Sequence, residues 1–367
     1  MAKKRNYAVK AGASGKAFAA PKLPYEPRPP RRYNPPVALI GTGGIADMHL
    51  SAYRDAGLNV VALSNRTPSK AKKLAKQFCP KSDIYSDYHE VLAREDIPVV
   101  DITTHPDVRA VMITDAIRAG KHVLSQKPFA TDLRTGRKLV KLADTNGVKL
   151  AVNQNGRWAP HFSYIRHAIA AGVIGDVLTV NLSVHWDHDW IASTPFNDVH
   201  HIVLFDFGIH WFDILTTFMG GRAAKSVFAT LAHAPGQKSK PPLLGNAVVD
   251  YGDASATVTL NAFTRHGKRD ETLVVGTKGT LHSSGPDLHD QRLFLHTRRG
   301  TAEVKLSGTW FPGAFAGTMF ELLSAVEKDR EPGNSGRDNL TGLALSFAAC
   351  RSAETGKPQT PGTVMSV

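Results

Sequence analysis

Two segments of the chain carry side chains able to hold charge and move protons. One is Ser125-Gln126-Lys127-Pro128, which closes an apolar run. The other is Leu204 to Asp213, apolar apart from Asp206, His210 and Asp213. On a helix, spacings of four and seven place these three on roughly one face. A carboxylate beside an imidazole is an orienting pair for a general base. Asp206 would fix the His210 ring and favour its protonated form during proton transfer. The plain alternative is a structural pair one helical turn apart.

A third segment offers a seat for an anionic cofactor. Gly41-Thr42-Gly43-Gly44-Ile45-Ala46 follows the apolar run Val37–Ile40 and opens a helical pattern. This is the context a dinucleotide-binding turn requires. Gly41 permits the tight turn, Gly43 lets the backbone approach a pyrophosphate, and Ala46 stands where a third glycine allows close helix–strand packing. The phosphates would rest on free N–H groups at the positive end of the helix. The second strand ends in Ser64-Asn65-Arg66, with no acid to bond a ribose 2′-hydroxyl. Ser64 can donate to a 2′-phosphate and Arg66 can pair with it, so NADP is favoured, while Asn65 could still serve NAD. Ligands in open α/β sheets bind beyond the carboxyl ends of strands. Lys127 and Gln126 should therefore point to the cofactor crevice, together with Thr104 and His105 after the run Val99–Thr103.

The elements needed to position these residues can be followed along the chain. Apolar runs Val37–Ile40, Val60–Leu63, Val99–Thr103, His122–Leu124 and Lys149–Val152 alternate with helical segments Ile45–Ala56, Ser69–Phe78, Asp107–Ala119 and Asp132–Asn146. Such alternation predicts a parallel, doubly wound Rossmann sheet over 37–155. Over 156–367 the pattern changes. Helices are predicted at Ser163–Ala171, Leu204–Phe218, Ala314–Glu327 and Asn339–Glu354. Strands are predicted at Val177–Val184, Ala247–Asp250, Ala256–Asn261, Glu271–Val275, Gly279–His282, Leu293–His296 and Glu303–Leu306, spaced as in an open, largely antiparallel sheet. The fold class is thus an α/β Rossmann domain followed by an α+β domain.

The net charge of +13 could suggest nucleic acid, but residues 1–36 hold nine basic side chains against Glu26 alone. Only +5 is left for the other 331 residues, so the body is mildly basic and no nucleic-acid partner is expected. Seven prolines between 21 and 36 favour an extended arm lying over a surface. No apolar run approaches the roughly 18 residues of a membrane span. Two distant cysteines suit a reducing compartment, and the polar start lacks a secretory h-region, so a cytoplasmic protein is expected.

Together, the glycine turn, the Lys127-Pro128 step and the Asp206-x-x-x-His210 pattern resemble the Gfo/Idh/MocA oxidoreductases, the family of glucose–fructose oxidoreductase and inositol dehydrogenase. Gly120-Lys121-His122-Val123-Leu124 and Gly276-Thr277-Lys278-Gly279-Thr280-Leu281 extend the likeness from about Val37 to the C-terminus. The resemblance implies hydride transfer between a nicotinamide and a secondary carbinol of a sugar or cyclitol. It implies Lys127 as a contact to substrate and nicotinamide, His210 as general base with Asp206 beside it, and a homo-oligomer, dimer or tetramer. The family usually has Glu where this chain has Gln126. A carboxylate there would favour a charged lysine, whereas an amide supplies hydrogen bonds only.

Further residues bear on the substrate. Asn155 and Arg157 lie at the crossing into the second domain, where hinge roles are the alternative. Trp186 or Trp190, in His185-Trp186-Asp187-His188-Asp189-Trp190, is suited to stacking on a pyranose face. His185 and His188, three apart on a strand, would face opposite ways, so no metal is expected. Two other activities stay open: a redox-neutral glycosidase of the same fold, and a sugar- or nucleotide-sensing regulator without turnover.

Overall fold

Valine, isoleucine and leucine in short runs bounded by glycine and proline build a first sheet buried on both faces, as parallel sheets are. The computed structural model describes residues 17–367. Its first sheet comprises β1 (Val37–Ile40), β2 (Val60–Ser64), β3 (Asp83–Tyr85), β4 (Val99–Ile102), β5 (His122–Ser125) and β6 (Leu150–Val152). All neighbours run parallel, in the order β3-β2-β1-β4-β5-β6. That is the doubly wound order with its crevice between β1 and β4. The crossovers are α1 (Ala46–Asp55), α2 (Pro68–Phe78), α3 (Tyr88–Leu92), α4 (Pro106–Arg118) and α5 (Leu133–Thr145).

After α6 (Pro160–Ala170) the chain enters a second sheet of eight strands. These are β7 (Val177–His185), then, after α7 (Ile209–Phe218), β8 (Ser226–Ala232), β9 (Leu244–Asp250), β10 (Ser255–Asn261), β11 (Arg269–Gly276), β12 (Gly279–Gly285), β13 (Arg292–Thr297) and β14 (Gly300–Val304). Their order is β14-β13-β12-β11-β7-β10-β9-β8, antiparallel except for β7 beside β10. Alternation buries one face only: Val180, Leu182 and Val184 of β7 point into the core, with α7 packed over them.

The closing helices α8 (Gly313–Glu327) and α9 (Gly336–Thr355) return to the first sheet. Phe315, Met319, Leu322 and Leu323 of α8 pack on Val37, Leu124 and Ala151. Leu343 and Phe347 of α9 join Ile40, Ile102 and Val152. One layer of the Rossmann unit is therefore supplied from the far end of the chain.

The first 16 residues of the basic arm lie outside the described residues. From Ala17, which bridges to Thr301, the arm runs extended along its own chain. Phe18, Leu23 and Tyr25 pack on the second core, and the N–H groups of Arg31, Arg32 and Tyr33 donate to Glu327 at the end of α8. Among the described residues no helix is long and apolar enough to cross a membrane.

Candidate active site

The turn after β1 is shaped to receive an anion. Gly41 has φ +99°, and a Cβ there would stand 2.7 Å from Thr104 Cγ2, so only glycine is accommodated. Its N–H donates to Ser64 O at 2.8 Å, and Thr103 Oγ1 donates to its carbonyl at 2.5 Å. Around Gly43 and Gly44 a Cβ would meet nothing within 4 Å, so this backbone stays approachable just ahead of the α1 N-terminus. Ala46 is buried against Leu39 and Leu63, the close packing its small side chain allows. Thr42 and Asn65 close one rim, Asn65 Nδ2 donating to Thr42 Oγ1 at 2.7 Å while its Oδ1 accepts from Thr67 N–H. These residues fit a dinucleotide, with Ile45 and His105 at the border. Ser64 is buried and meets the turn through its carbonyl rather than its hydroxyl, whereas Arg66 is exposed.

Lys127 leaves the carboxyl end of β5 and reaches across to the second domain. Its Nζ donates to Asp206 O at 2.8 Å and lies 3.3 Å from Asp206 Oδ1. The structure does not join Asp206 to His210, the pair expected from the sequence. Residues Val203–Phe207 form a π-helical turn that passes through Gly208 into α7 at Ile209, in place of a regular α-helix from Leu204. The changed helical pitch removes the four-residue spacing on which the pair depended. Instead the Asp206 carboxylate offsets the lysine. The Nδ1 of His210 is buried without a partner. Burial and, secondarily, the Lys127 charge push the His210 imidazole well below its usual range, so it stands neutral rather than favoured as imidazolium.

Gln126 does not act on the lysine ammonium either. Its Oε1 accepts from Lys127 N–H at 2.7 Å and from Asn153 Nδ2 at 3.3 Å. Its amide nitrogen faces His49 Nε2 at 3.4 Å, and Asn153 Nδ2 faces the same atom at 3.2 Å. Two amide donors on Nε2 assign the ring proton to Nδ1, which meets Asp101 Oδ2 at 2.7 Å, where Tyr53 OH also donates. A buried polar network thus holds the backbone from which Lys127 extends. No sequence pattern marks His49 or Asp101, although His49 follows the glycine turn by one helical turn; Asn153 opens the polar stretch at the crossing into the second domain. Arg109 was missed too: buried on α4, it donates to the carbonyls of Thr104 and Pro128 and ties the two crevice loops together.

Residues 36–154 match the model of the Gfo/Idh/MocA oxidoreductase family, NAD-binding Rossmann fold, and residues 162–282 match the Gfo/Idh/MocA C-terminal domain. The chain belongs to the Gfo/Idh/MocA oxidoreductases. Among curated relatives, the D-apiose dehydrogenase of Paraburkholderia graminis is 29% identical, covering 87% of this chain and 88% of that protein. The inositol 2-dehydrogenase of Rhizobium meliloti is 28% identical, over 86% and 95% of the two chains. An oxidoreductase from Agrobacterium radiobacter, solved with NAD+, L-tartaric acid and magnesium, has the same fold: TM-score 0.79 at 23% identity over 90% and 99%.

The remaining predicted residues of this Gfo/Idh/MocA oxidoreductase divide into lining and scaffold. Asn155 is buried in the 3₁₀ turn Asn155–Trp158, its Nδ2 without a protein partner. Trp186 packs edge-on against Trp211 at 5.4 Å with its Nε1 unpartnered. Arg157 is engaged within the protein. It is buried, with Nε 2.7 Å and Nη2 2.6 Å from the two oxygens of Asp213, and it also reaches Asp338 and Gly333 O. Burial works against its charge, but Asp213 and Asp338 outweigh it and hold the guanidinium above its usual range. Asp213, third member of the apolar stretch, is thereby structural. His185 bonds Ser183 at 2.8 Å, and His188 bonds Trp190 at 3.0 Å. Elsewhere His200, His201 and Glu354 bring ligand atoms within 4.8 Å. His201 Nε2 and Arg351 already occupy the Glu354 oxygens, at 2.7 and 2.9 Å.

Proposed function

We propose that this oxidoreductase transfers hydride between a nicotinamide, NADP by preference, and a secondary hydroxyl or ketone of a sugar or cyclitol. The observation that carries the reading is Lys127, leaving the carboxyl end of β5 to be held by Asp206 at 2.8 Å, with the His210 imidazole close enough to feel its charge. Bound nicotinamide would supply the hydride acceptor or donor. His210, neutral at physiological pH, can take the hydroxyl proton as general base. Lys127, anchored by Asp206, can donate to the carbinol oxygen and offset its developing negative charge. The buried indoles of Trp211 and Trp310 pack beside the His210 ring, at 6.3 and 6.0 Å.

The names of the relatives, an apiose and an inositol dehydrogenase, support a neutral polyol. Preference for NADP is supported by the absence of an acid after β2 and by exposed Arg66, which can take a 2′-phosphate. Free Cys79 and Cys350 suit the cytoplasm. A homo-oligomer formed through the outer face of the second sheet would cover Phe228 and Val248, large apolar side chains exposed there.

A panel of sugars and cyclitols, followed by reduced-nicotinamide absorbance with each cofactor, tests the reading. Turnover that Lys127→Ala abolishes, and a loss of NADP preference in Arg66→Ala, are the expected results. Failure to bind either cofactor would sink it. Cofactor retained through turnover with no net reduction would point to the glycosidase.

A further inference from the structure

The inner face of the second sheet holds one carboxyl that this reaction does not use. Asp270 of β11 is 1% exposed, and neither Oδ1 nor Oδ2 has a hydrogen-bond partner. Two residues along the same face, Thr272 Oγ1 is also buried and unpartnered. Interiors rarely tolerate such groups, because each has given up water and gained nothing. Burial, reinforced by Asp287, pushes the carboxyl well above the usual range.

Strand register connects Asp270 to the active site. It lies opposite Val184 on β7, and Val184 lines one small cavity together with Trp186 and Trp211. From Trp186 an unbroken series of ring contacts leads to the catalytic side. Trp186 meets Trp211 at 5.4 Å and Trp211 meets Trp310 at 6.0 Å, with His210 6.0 Å from Trp310. The Nε1–H of all three tryptophans is buried without a partner. Indole nitrogens only donate, and Asp270 supplies acceptors. Unpaired donors, one carboxyl and apolar ring faces together match a molecule whose hydroxyls both donate and accept and whose C–H faces stack on indole.

We propose that Asp270 is a specificity-determining residue that binds a hydroxyl of a neutral cyclic polyol, remote from the carbon being oxidised. The proposal rests on the dehydrogenase reading given above. It also specifies a preference: an acidic sugar would have to bury its own charge at this desolvated position and be disfavoured.

Asp270→Asn and Asp270→Ala, compared with wild type on myo-inositol, D-apiose and D-glucuronate, test it. For the neutral polyol that wild type oxidises, KM should rise about tenfold or more in the alanine variant, with kcat little changed. Glucuronate should gain relative to that polyol in the asparagine variant. The melting temperature of either variant should be no lower than wild type, since a costly buried group has been removed. An unchanged KM, or a lowered melting temperature with KM unchanged, overturns the subsite and makes Asp270 structural. If wild type oxidises none of the probes, the dehydrogenase reading fails separately. The subsite is then decided by the melting-temperature shift that myo-inositol produces with nicotinamide cofactor bound. A shift that wild type shows and Asp270→Ala lacks supports the subsite; no shift in wild type, or equal shifts, overturns it.

Discussion

Arg157→Met should cost this protein stability rather than substrate affinity. The side chain of Asp213 is 1% exposed and receives two of its bonds from Arg157. Without the guanidinium only Asn339 Nδ2, at 3.3 Å, remains to it. Asp338 is half exposed and returns to water at little cost, so the penalty is set by Asp213. Removing one partner of a buried ion pair leaves an uncompensated charge and costs about 3–5 kcal/mol. Replacing both partners by apolar groups is often close to neutral, so Arg157→Met combined with Asp213→Leu should recover most of the loss. Urea denaturation followed by tryptophan fluorescence measures both variants, and KM for an accepted sugar completes the comparison. An unchanged unfolding midpoint together with a large rise in KM would refute the argument and return Arg157 to the substrate.

Other perturbations have equally definite outcomes. Gly41→Ala forces a positive φ on a Cβ that meets Thr104 at 2.7 Å, and cofactor titration should show a severe loss of binding. Gln126→Glu removes the amide that donates to His49 Nε2. Stability at neutral pH should fall by about 1–3 kcal/mol. Urea denaturation of the variant beside wild type reads the loss. Burial depresses His161 to about 3. The unfolded chain takes up that proton below about 6.5 and the folded chain does not, so stability falls with acid by up to about 1.4 kcal/mol per pH unit for this group. His161→Leu should flatten the slope between pH 6.5 and 5 by about that amount; an unchanged slope would show the ring to be protonated in the fold.

The Rossmann half was legible because its signals are local. Apolar runs three to five residues long sit between glycine turns and helical periods, and each boundary lies within a few residues of the expected one. β3 escaped because Asp83–Tyr85 is three residues long and only half-buried. β8 has no clear sequence signature because Thr230 interrupts its apolar residues and Phe228, though apolar, faces outward and spoils the alternation. In the site, the glycine turn and Lys127 could be read from position after a strand. The partners of Lys127 could not, since a π-turn is one extra residue in a helix and leaves the apolar pattern of Leu204 to Phe218 unchanged. Arg157 and Asp213 are 56 residues apart, and no local pattern shows that they pair. Asp270 reads as an ordinary polar residue in an alternating strand, and only the register of the sheet shows that it faces inward.

The return of α8 to the first sheet has a bearing on how the chain is made. Val37, Leu124 and Ala151 leave the ribosome well before Phe315 and Leu323, which are to cover them. During that interval the nascent Rossmann half carries an apolar face with no layer over it. Such exposure invites association with other chains and calls on chaperones. A fragment ending near residue 155 should therefore be recovered mainly as aggregate, and codon changes that slow synthesis between 155 and 313 should lower soluble yield more than the same changes placed after α9.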